Sequence, residues 1–450
     1  MPVITIPLHL IDYPQQINLS NEPFVATLGD LHGSALKLLH FLIMEGVVTV
    51  NAADYQTFLT LYEKALAAPY LNPPESIVLP QKINKKDLAQ LDEILSRIQK
   101  TDCDREVRLI GDTVRDRGAN DHFTLRLFEK MEQLNIPFEI IFSNHDFEYL
   151  FVMEKFFSCD HAAQSPTKSF AKVAWNPYCA SLGRFEQLYH DGLIQLDEIR
   201  RLHRVYKRHL TAIGYSIDLN NVMHIFTHAP FKTVQIKALA ADLGTHYSDK
   251  TVDELAQSID EINAAFSGIM CTDNPEEMRA FLNRINLAKT DKSHPNALPH
   301  LFDLTHNRLF YVSDDKKYHA DHPDACSVTY VFGHVSPHPE LCDTSLPYMN
   351  GPNTRHINLD NTMIGREAPS KEAGEDLDMD YLVLRQETRT LSSNSIMRDV
   401  QEDIADTVLN THSPVFQVSQ GAEGKVEKTA PGSSQGLSLN IRLHPSRKAV

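Results

Sequence analysis

The chain has 450 residues, enough for one large domain with appendages, and 42% of them are hydrophobic, enough for a sizeable core. A net charge of −16 with no basic stripe excludes binding through a nucleic-acid backbone. No stretch approaches the roughly 18 successive apolar residues of a membrane span. The opening MPVITIPLHLIDYP lacks the basic head and long apolar stretch of a signal peptide, so the ordinary secretory route is not expected.

Five apolar, β-branched runs read as strands, each followed at once by a short polar motif. FVATL (24–28) leads to Gly29-Asp30-Leu31-His32-Gly33. EVRLI (106–110) leads to Gly111-Asp112 and on to Asp116-Arg117-Gly118. FEIIF (138–142) leads to Ser143-Asn144-His145-Asp146, VMHIF (222–226) to Thr227-His228-Ala229, and VTYVF (328–332) to Gly333-His334. In open α/β sheets the loops at the carboxyl ends of the strands form the ligand crevice, so these Asp, His and Asn side chains are expected to converge. Carboxylate, imidazole and amide oxygen together suit two divalent metals of the manganese, iron or zinc type.

The intervals locate additions. Asp30 and Asp112 lie 82 residues apart, far more than one strand–helix–strand unit needs. The surplus, about 50–103, holds two amphipathic helical patterns. Tyr55, Phe58, Leu59, Tyr62 and Leu66 share one face, and Leu88, Leu91, Leu95 and Ile98 another, with Pro73 and Pro74 between them. A helical hairpin is expected there. A second helical insertion is expected over about 150–215, containing Trp175, and a further helix near 251–267. Each addition is read either as extra core or as a cap that recognises a substrate or partner. After His334, HINLD (356–360) and YLVLR (381–385) are strand-like, with an acidic loop between them. Beyond about Thr388 the composition turns to Ser, Thr, Gln and Gly, with a short helix expected over 398–409 and disorder from about 412. The expected division is a catalytic domain over 1–388 and a largely disordered tail over 389–450. Cys103, Cys159, Cys179, Cys271, Cys326 and Cys342 form no Cys-x-x-Cys pair and read as free thiols of a reducing, cytoplasmic compartment.

In order and chemistry the five motifs resemble the PPP family of metallophosphoesterases, the calcineurin-like phosphoprotein phosphatases and their bacterial relatives, over about residues 24–365. The resemblance implies an α/β fold, a sandwich of mixed β-sheets flanked by helices, here with helical insertions. It implies two divalent metal ions, manganese before iron or zinc. Asp30 and His32 would bind the first, Asp112 would bridge both, and Asn144, His228 and His334 would bind the second. His145 and Asp116 resemble the family's His–Asp pair, whose His protonates the leaving oxygen. Arg117 resembles an Arg that grips phosphate, and Arg308 is the candidate for a second, with Arg279 and Arg284 competing.

The chemistry gives each role a reason. Two metals clamp a phosphoryl group and acidify the water between them. An alkoxide is a strong base and needs a proton, which a His can supply. Arg fits phosphate through its planar fork of donors. The chain departs from the family pattern in three places. One extra residue stands between Asp112 and Asp116-Arg117. Ser143 and Asp146 replace the usual Gly and Glu, and Ser143 is expected to crowd its turn. Ala229-Pro230 replaces Gly-Gly. His319, His322 and His338 near His334 read as surface residues. No Gly-x-Ser-x-Gly elbow or Walker-type loop is present.

The expected function is a metal-dependent phosphoprotein phosphatase, with serine/threonine or tyrosine specificity left open. The alternatives are a dinucleoside tetraphosphate hydrolase with the same ligands, and a catalytically weak scaffold recruiting protein partners through its insertions and tail. A basic C-terminal end and the resemblance to phosphatases delivered into host cells add specialised export as an expected route.

Overall fold

The computed structural model describes residues 3–9, 12–16, 24–67, 82–102, 105–158, 180–307, 327–334, 348–350, 354–360 and 378–386. The first third of the chain holds β1 (Val3–His9), β2 (Phe24–Leu28), α1 (Ala35–Met44), β3 (Val48–Thr49), α2 (Ala52–Ala67), α3 (Lys85–Arg97), β4 (Gln99–Lys100), β5 (Arg105–Leu109), α4 (Asp121–Gln133), β6 (Phe138–Ile141) and α5 (Asn144–Ser158). The middle holds α6 (Ala180–His190), α7 (Leu196–Arg208), β7 (Leu210–Thr211), β8 (Gly214–Ile217), β9 (Met223–Thr227), α8 (Thr233–Leu243), α9 (Val252–Met270), α10 (Pro275–Thr290) and α11 (Pro299–His306). The last part adds β10 (Val328–Phe332), β11 (Tyr348–Asn350), β12 (Thr354–Asn358) and β13 (Asp378–Gln386).

Two mixed sheets form the centre, in keeping with the α/β sandwich expected. The first runs β1-β13-β2-β5-β6-β7, and the second β11-β12-β10-β9-β8. In the first, β2, β5, β6 and β7 are parallel, while β13 runs against β2 and β1. In the second, β12, β10 and β9 are parallel between antiparallel edges β11 and β8. β2, β5, β9 and β10 are buried along their whole length, as strands covered on both faces are. Side chains of both sheets meet in one cluster: Ile110, Ile141 and Leu384 on one side, Phe226, Val331, Ile357 and Leu359 on the other.

The larger core lies under the helices. α1 has all ten residues buried, including Lys37 and His40, and Ser34 caps it by accepting the Lys37 N–H. The described parts of the first insertion are α2 and α3, closed at the base by the antiparallel pair β3–β4. Their apolar faces belong to this core rather than to a free surface. Tyr55, Phe58, Leu91 and Ile94 are buried, the Phe58 ring meets Phe123 of α4 at 6.1 Å, and the Tyr62 hydroxyl donates to Ser34 Oγ at 3.0 Å. Where described, the insertion therefore packs, the first of the two readings that the sequence leaves open. Trp175, the 398–409 helix and the tail from 389 fall outside the described residues, as do all the cysteines except Cys271, which is free.

One charged pair sits in the interior. Arg108 of β5 and Glu139 of β6 are opposite each other in register, fully buried and ion-paired. The Arg108 guanidinium also lies 3.9 Å from the Phe226 ring centre and donates to the Tyr215 carbonyl at 3.0 Å. Arg108 thus ties the first sheet to β8 and β9 of the second. Removing only the acid leaves an uncompensated charge between the sheets. Glu139→Ala is expected to cost about 3–5 kcal/mol in a denaturant melt, and Arg108→Met with Glu139→Leu to regain most of it. A single-variant loss below about 1 kcal/mol would show that the pair is not what holds the sheets together here.

Candidate metal centre

Register sets the level of the loops. Leu28, Leu109 and Ile140 are paired across β2, β5 and β6, and Thr227, Phe332 and Asn358 across β9, β10 and β12. The polar motifs follow these residues within a few positions, so both sheets present them at the same edge. The turns are tight. Gly111 has φ +102°, and a Cβ there would meet His228 Nδ1 at 2.9 Å and Ser143 Cβ at 2.7 Å. A Cβ at Gly333 would sit 1.8 Å from Asp30 Oδ1. His32, Asp112 and His334 themselves adopt left-handed backbone, with φ of 54°, 49° and 63°. Such conformations in non-glycine residues cost energy and gather at functional sites.

All six expected ligands meet. His228 Nε2 lies 2.9 Å from Asn144 Oδ1, 3.1 Å from His334 Nδ1 and 3.3 Å from Asp112 Oδ1. His228 Nδ1 bonds the Ile110 carbonyl at 2.8 Å, so it carries the proton and leaves the Nε2 lone pair facing the cluster. Asp30 takes the His334 N–H on Oδ2 at 2.8 Å. His32 Nδ1 lies 4.0 Å from Asp112 and its Nε2 lies 3.6 Å from Asp360. The groups able to hold an ion are Asp112 with His228 and His334, Asp30 with His32 and Asp360, and His32 with Asp112 and Asp116.

The Asp116–His145 pairing is not made. Asp116 Oδ2 instead bonds His32 Nδ1 at 2.8 Å, and His145 Nδ1 bonds the Arg115 carbonyl at 2.8 Å. The cause is the extra residue. Arg115 takes φ 54°, its N–H is held by both Asp121 oxygens at 3.0 Å, and its guanidinium pairs with Glu148. This bulge carries Asp116 to His32. Helix α6 holds it there: Ser181 Oγ accepts the Asp116 N–H at 3.0 Å, and Arg184 donates to the Gly118 and Ala119 carbonyls. Arg117, partly exposed, lies with Nη2 2.9 Å from His32 Nδ1, over the first cluster.

Nor does Ser143 crowd its turn. Its Oγ accepts the N–H of Asp112 at 2.9 Å and of Asp146 at 3.1 Å, and Asp146 accepts the Ser143 N–H at 3.1 Å. That reciprocal pair is a capping box at the start of α5, and the Ser-for-Gly and Asp-for-Glu exchanges work together in it. Asp146 also accepts from Thr113, so the cap fixes the Asp112 loop. Arg308, His319, His322 and His338 lie outside the described residues. Arg279 pairs with Glu276 and Arg284 bonds the Asn296 carbonyl, each on α10.

Two residues escaped the sequence reading. Lys37 is buried, its Nζ donating to the Asp30 carbonyl at 2.6 Å, and burial pulls its pKa down to about 8. A lone Lys in an apolar helix pattern was its signal. Asp360 stands two residues past β12, as Asp30 and His334 stand two residues past their strands. Both are embedded in a shared field. Burial first, then Asp360 and Asp112, raise the Asp30 carboxyl to about 7. Burial lowers His32, but the Asp116 and Asp360 carboxylates more than reverse this and raise it to about 10.

The residues fit divalent cations. Asp30, Asp112 and Asp360 each bury a carboxylate oxygen with no hydrogen-bond partner, an arrangement costly without a cation. The donors mix hard oxygens with imidazoles, as manganese, iron and zinc accept.

A family model described as the WipA-like phosphatase domain matches residues 106–365. Four chains of solved structures match. One is the phosphatase domain of the Legionella effector WipB, at 26% identity and a TM-score of 0.52, covering 62% of this chain and 90% of that one. No curated protein matches the chain.

Asp116 orients His32 by holding Nδ1. Asp116→Asn is therefore expected to weaken divalent-cation affinity about 10- to 100-fold, as loss of an outer carboxylate on a ligating His does. Calorimetric titration of the metal-free protein with Mn²⁺ measures this. Unchanged affinity would remove the orienting role.

Proposed function

The chain belongs to the family of WipA-like phosphatase domains, and on that premise we propose that it hydrolyses phosphoprotein monoesters with two divalent metals, manganese foremost. The observation that carries this is the convergence of buried, unpartnered carboxylates with imidazoles and an amide at one edge of two sheets. It is a metal-dependent phosphatase by family. In the proposal Asp30 and His32 hold the first ion, Asp112 both, and Asn144, His228 and His334 the second. Bound there, the ions stabilise charge on the transferring phosphoryl group and acidify water.

The protein's own groups do the rest. Arg117 lies beside the first cluster with its guanidinium partly open to solvent, and it orients the phosphate through parallel N–H donors. His145 keeps its Nδ1 proton on the Arg115 carbonyl, so in its imidazolium form Nε2–H faces away from that bond and gives its proton to the leaving oxygen as the ester P–O bond breaks, leaving the neutral imidazole. Ser143 fixes the Asp112 backbone on which both sites depend. Arg308 stays a proposed second phosphate ligand. Residues 1–388 are proposed as the catalytic domain and 389–450 as a tail open to partners. WipB is a Legionella effector, which supports delivery of this chain into another cell as its route of action. Among the described residues, no helix is long and apolar enough to cross a membrane.

Chelation is expected to abolish hydrolysis of phosphopeptides and para-nitrophenyl phosphate, and Mn²⁺ to restore it best. Asp112→Ala should be the most damaging single change, and full activity in that variant or in metal-free protein refutes the two-metal reading. A panel of phosphoserine, phosphothreonine and phosphotyrosine peptides beside a diadenosine polyphosphate reads the substrate class.

His145→Ala is expected to keep both ions and lose about 100- to 10,000-fold on alkyl phosphates. The loss should be much smaller on para-nitrophenyl phosphate, whose leaving group hardly needs a proton. Equal losses on the two substrates would assign the proton to another group.

A further inference from the structure

We infer that Asp360 is a direct ligand of the first metal, together with Asp30, His32 and Asp112, an inference that rests on the two-metal reading above. Three independent observations carry it. The first is register: Asn358 pairs with Phe332, so Asp360 leaves β12 at the level at which His334 leaves β10. The second is burial without a partner: the Asp360 side chain is 4% exposed, yet Oδ1 has no hydrogen bond. Among the described residues, His32 is the one side chain in ion-pair range of it, at 3.6 Å from Nε2. The third is aim. Ligand atoms of Asp360, Asp30 and His32 all lie within 4.8 Å of one another.

Lys37 does not satisfy the open oxygen of Asp360. Its ammonium donates to the Asp30 backbone carbonyl and reaches Asp360 only as a nearby charge, without a hydrogen bond. Asp116 takes His32 Nδ1, while Nε2 lies 3.6 Å from Asp360 and 3.3 Å from Arg117 Nη2. The two sites then differ in kind. The first has three carboxylates and one imidazole. The second shares Asp112 and adds an amide and two imidazoles. Oxygen-rich donors favour harder ions such as Mn²⁺, and imidazole-rich donors favour Zn²⁺ or iron, so the two sites differ in preference.

The test is metal stoichiometry and affinity, not turnover. Wild type stripped by chelator should bind two Mn²⁺ by equilibrium dialysis with elemental analysis, and give a spin-coupled Mn²⁺ pair by electron paramagnetic resonance. Asp360→Ala, which removes every ligand atom, should keep one ion and give an isolated Mn²⁺ signal. Its lost site should weaken by more than the roughly 10- to 100-fold that an outer partner costs. A loss within that range, or none, overturns the direct role. The variant should also gain less melting temperature than wild type on adding Mn²⁺, and an equal gain in the two proteins overturns the inference. Asp360→His, which keeps a ligand atom, should retain both ions, and its failure to do so counts against a ligand at this position. If wild type binds no metal, the two-metal reading itself falls. Two ions in wild type and two equally tight in Asp360→Ala sink this inference alone.

Discussion

Buried like charges govern this molecule. Asp30, Asp112 and Asp360 are pressed together with little exposure, and each keeps an oxygen without a partner. Such an arrangement is tolerated only where positive charge is supplied. Much of the surrounding architecture supplies it: Lys37 from inside α1, His32 and His228 between the carboxylates, Arg117 across the top. The sheets place the acids in register, and the turns, with three residues in left-handed backbone, aim them. Stability is given up at this edge and recovered in the apolar layers beneath, where α1, β2, β5, β9 and β10 are buried throughout.

The sequence made the principal ligands readable because each is announced by an apolar run and a small turn residue, a pattern the backbone needs for close approach. Gly111 and Gly333 show why: neither has room for a side chain beside His228 or Asp30. The pairings were less legible, because one inserted residue changes the direction of every side chain after it. Arg115 turns Asp116 from His145 to His32, and only the three-dimensional path of the bulge reveals that. The Ser143 and Asp146 exchanges are legible only as a pair, since each hydrogen-bonds the other's backbone. Asp360 follows a strand with no glycine before it, and although Asn358-Leu359-Asp360-Asn361 resembles a late strand of bacterial family members, nothing in that run marks the acid as a ligand.

The insertions illustrate a further limit of periodicity. An amphipathic pattern reports that one face is covered, not what covers it. α2 and α3 carry such patterns, and the cover is the protein's own core. α6 goes further, since Ser181 and Arg184 brace the loop that carries Asp116 and Arg117. An added helix far along the chain thus sets how accurately a motif of the common core is held.

The bond between the His334 N–H and the Asp30 carboxylate joins positions 304 apart in the chain. A centre closed by so distant a contact cannot be assembled by any local segment of the chain, since the long loop between the two ends must close first. Any passage that unfolds the protein would strip it of its cations at the door. What it carries on the far side would be decided by the metals circulating there, so the composition of the centre becomes a record of where the protein last folded rather than where it was made.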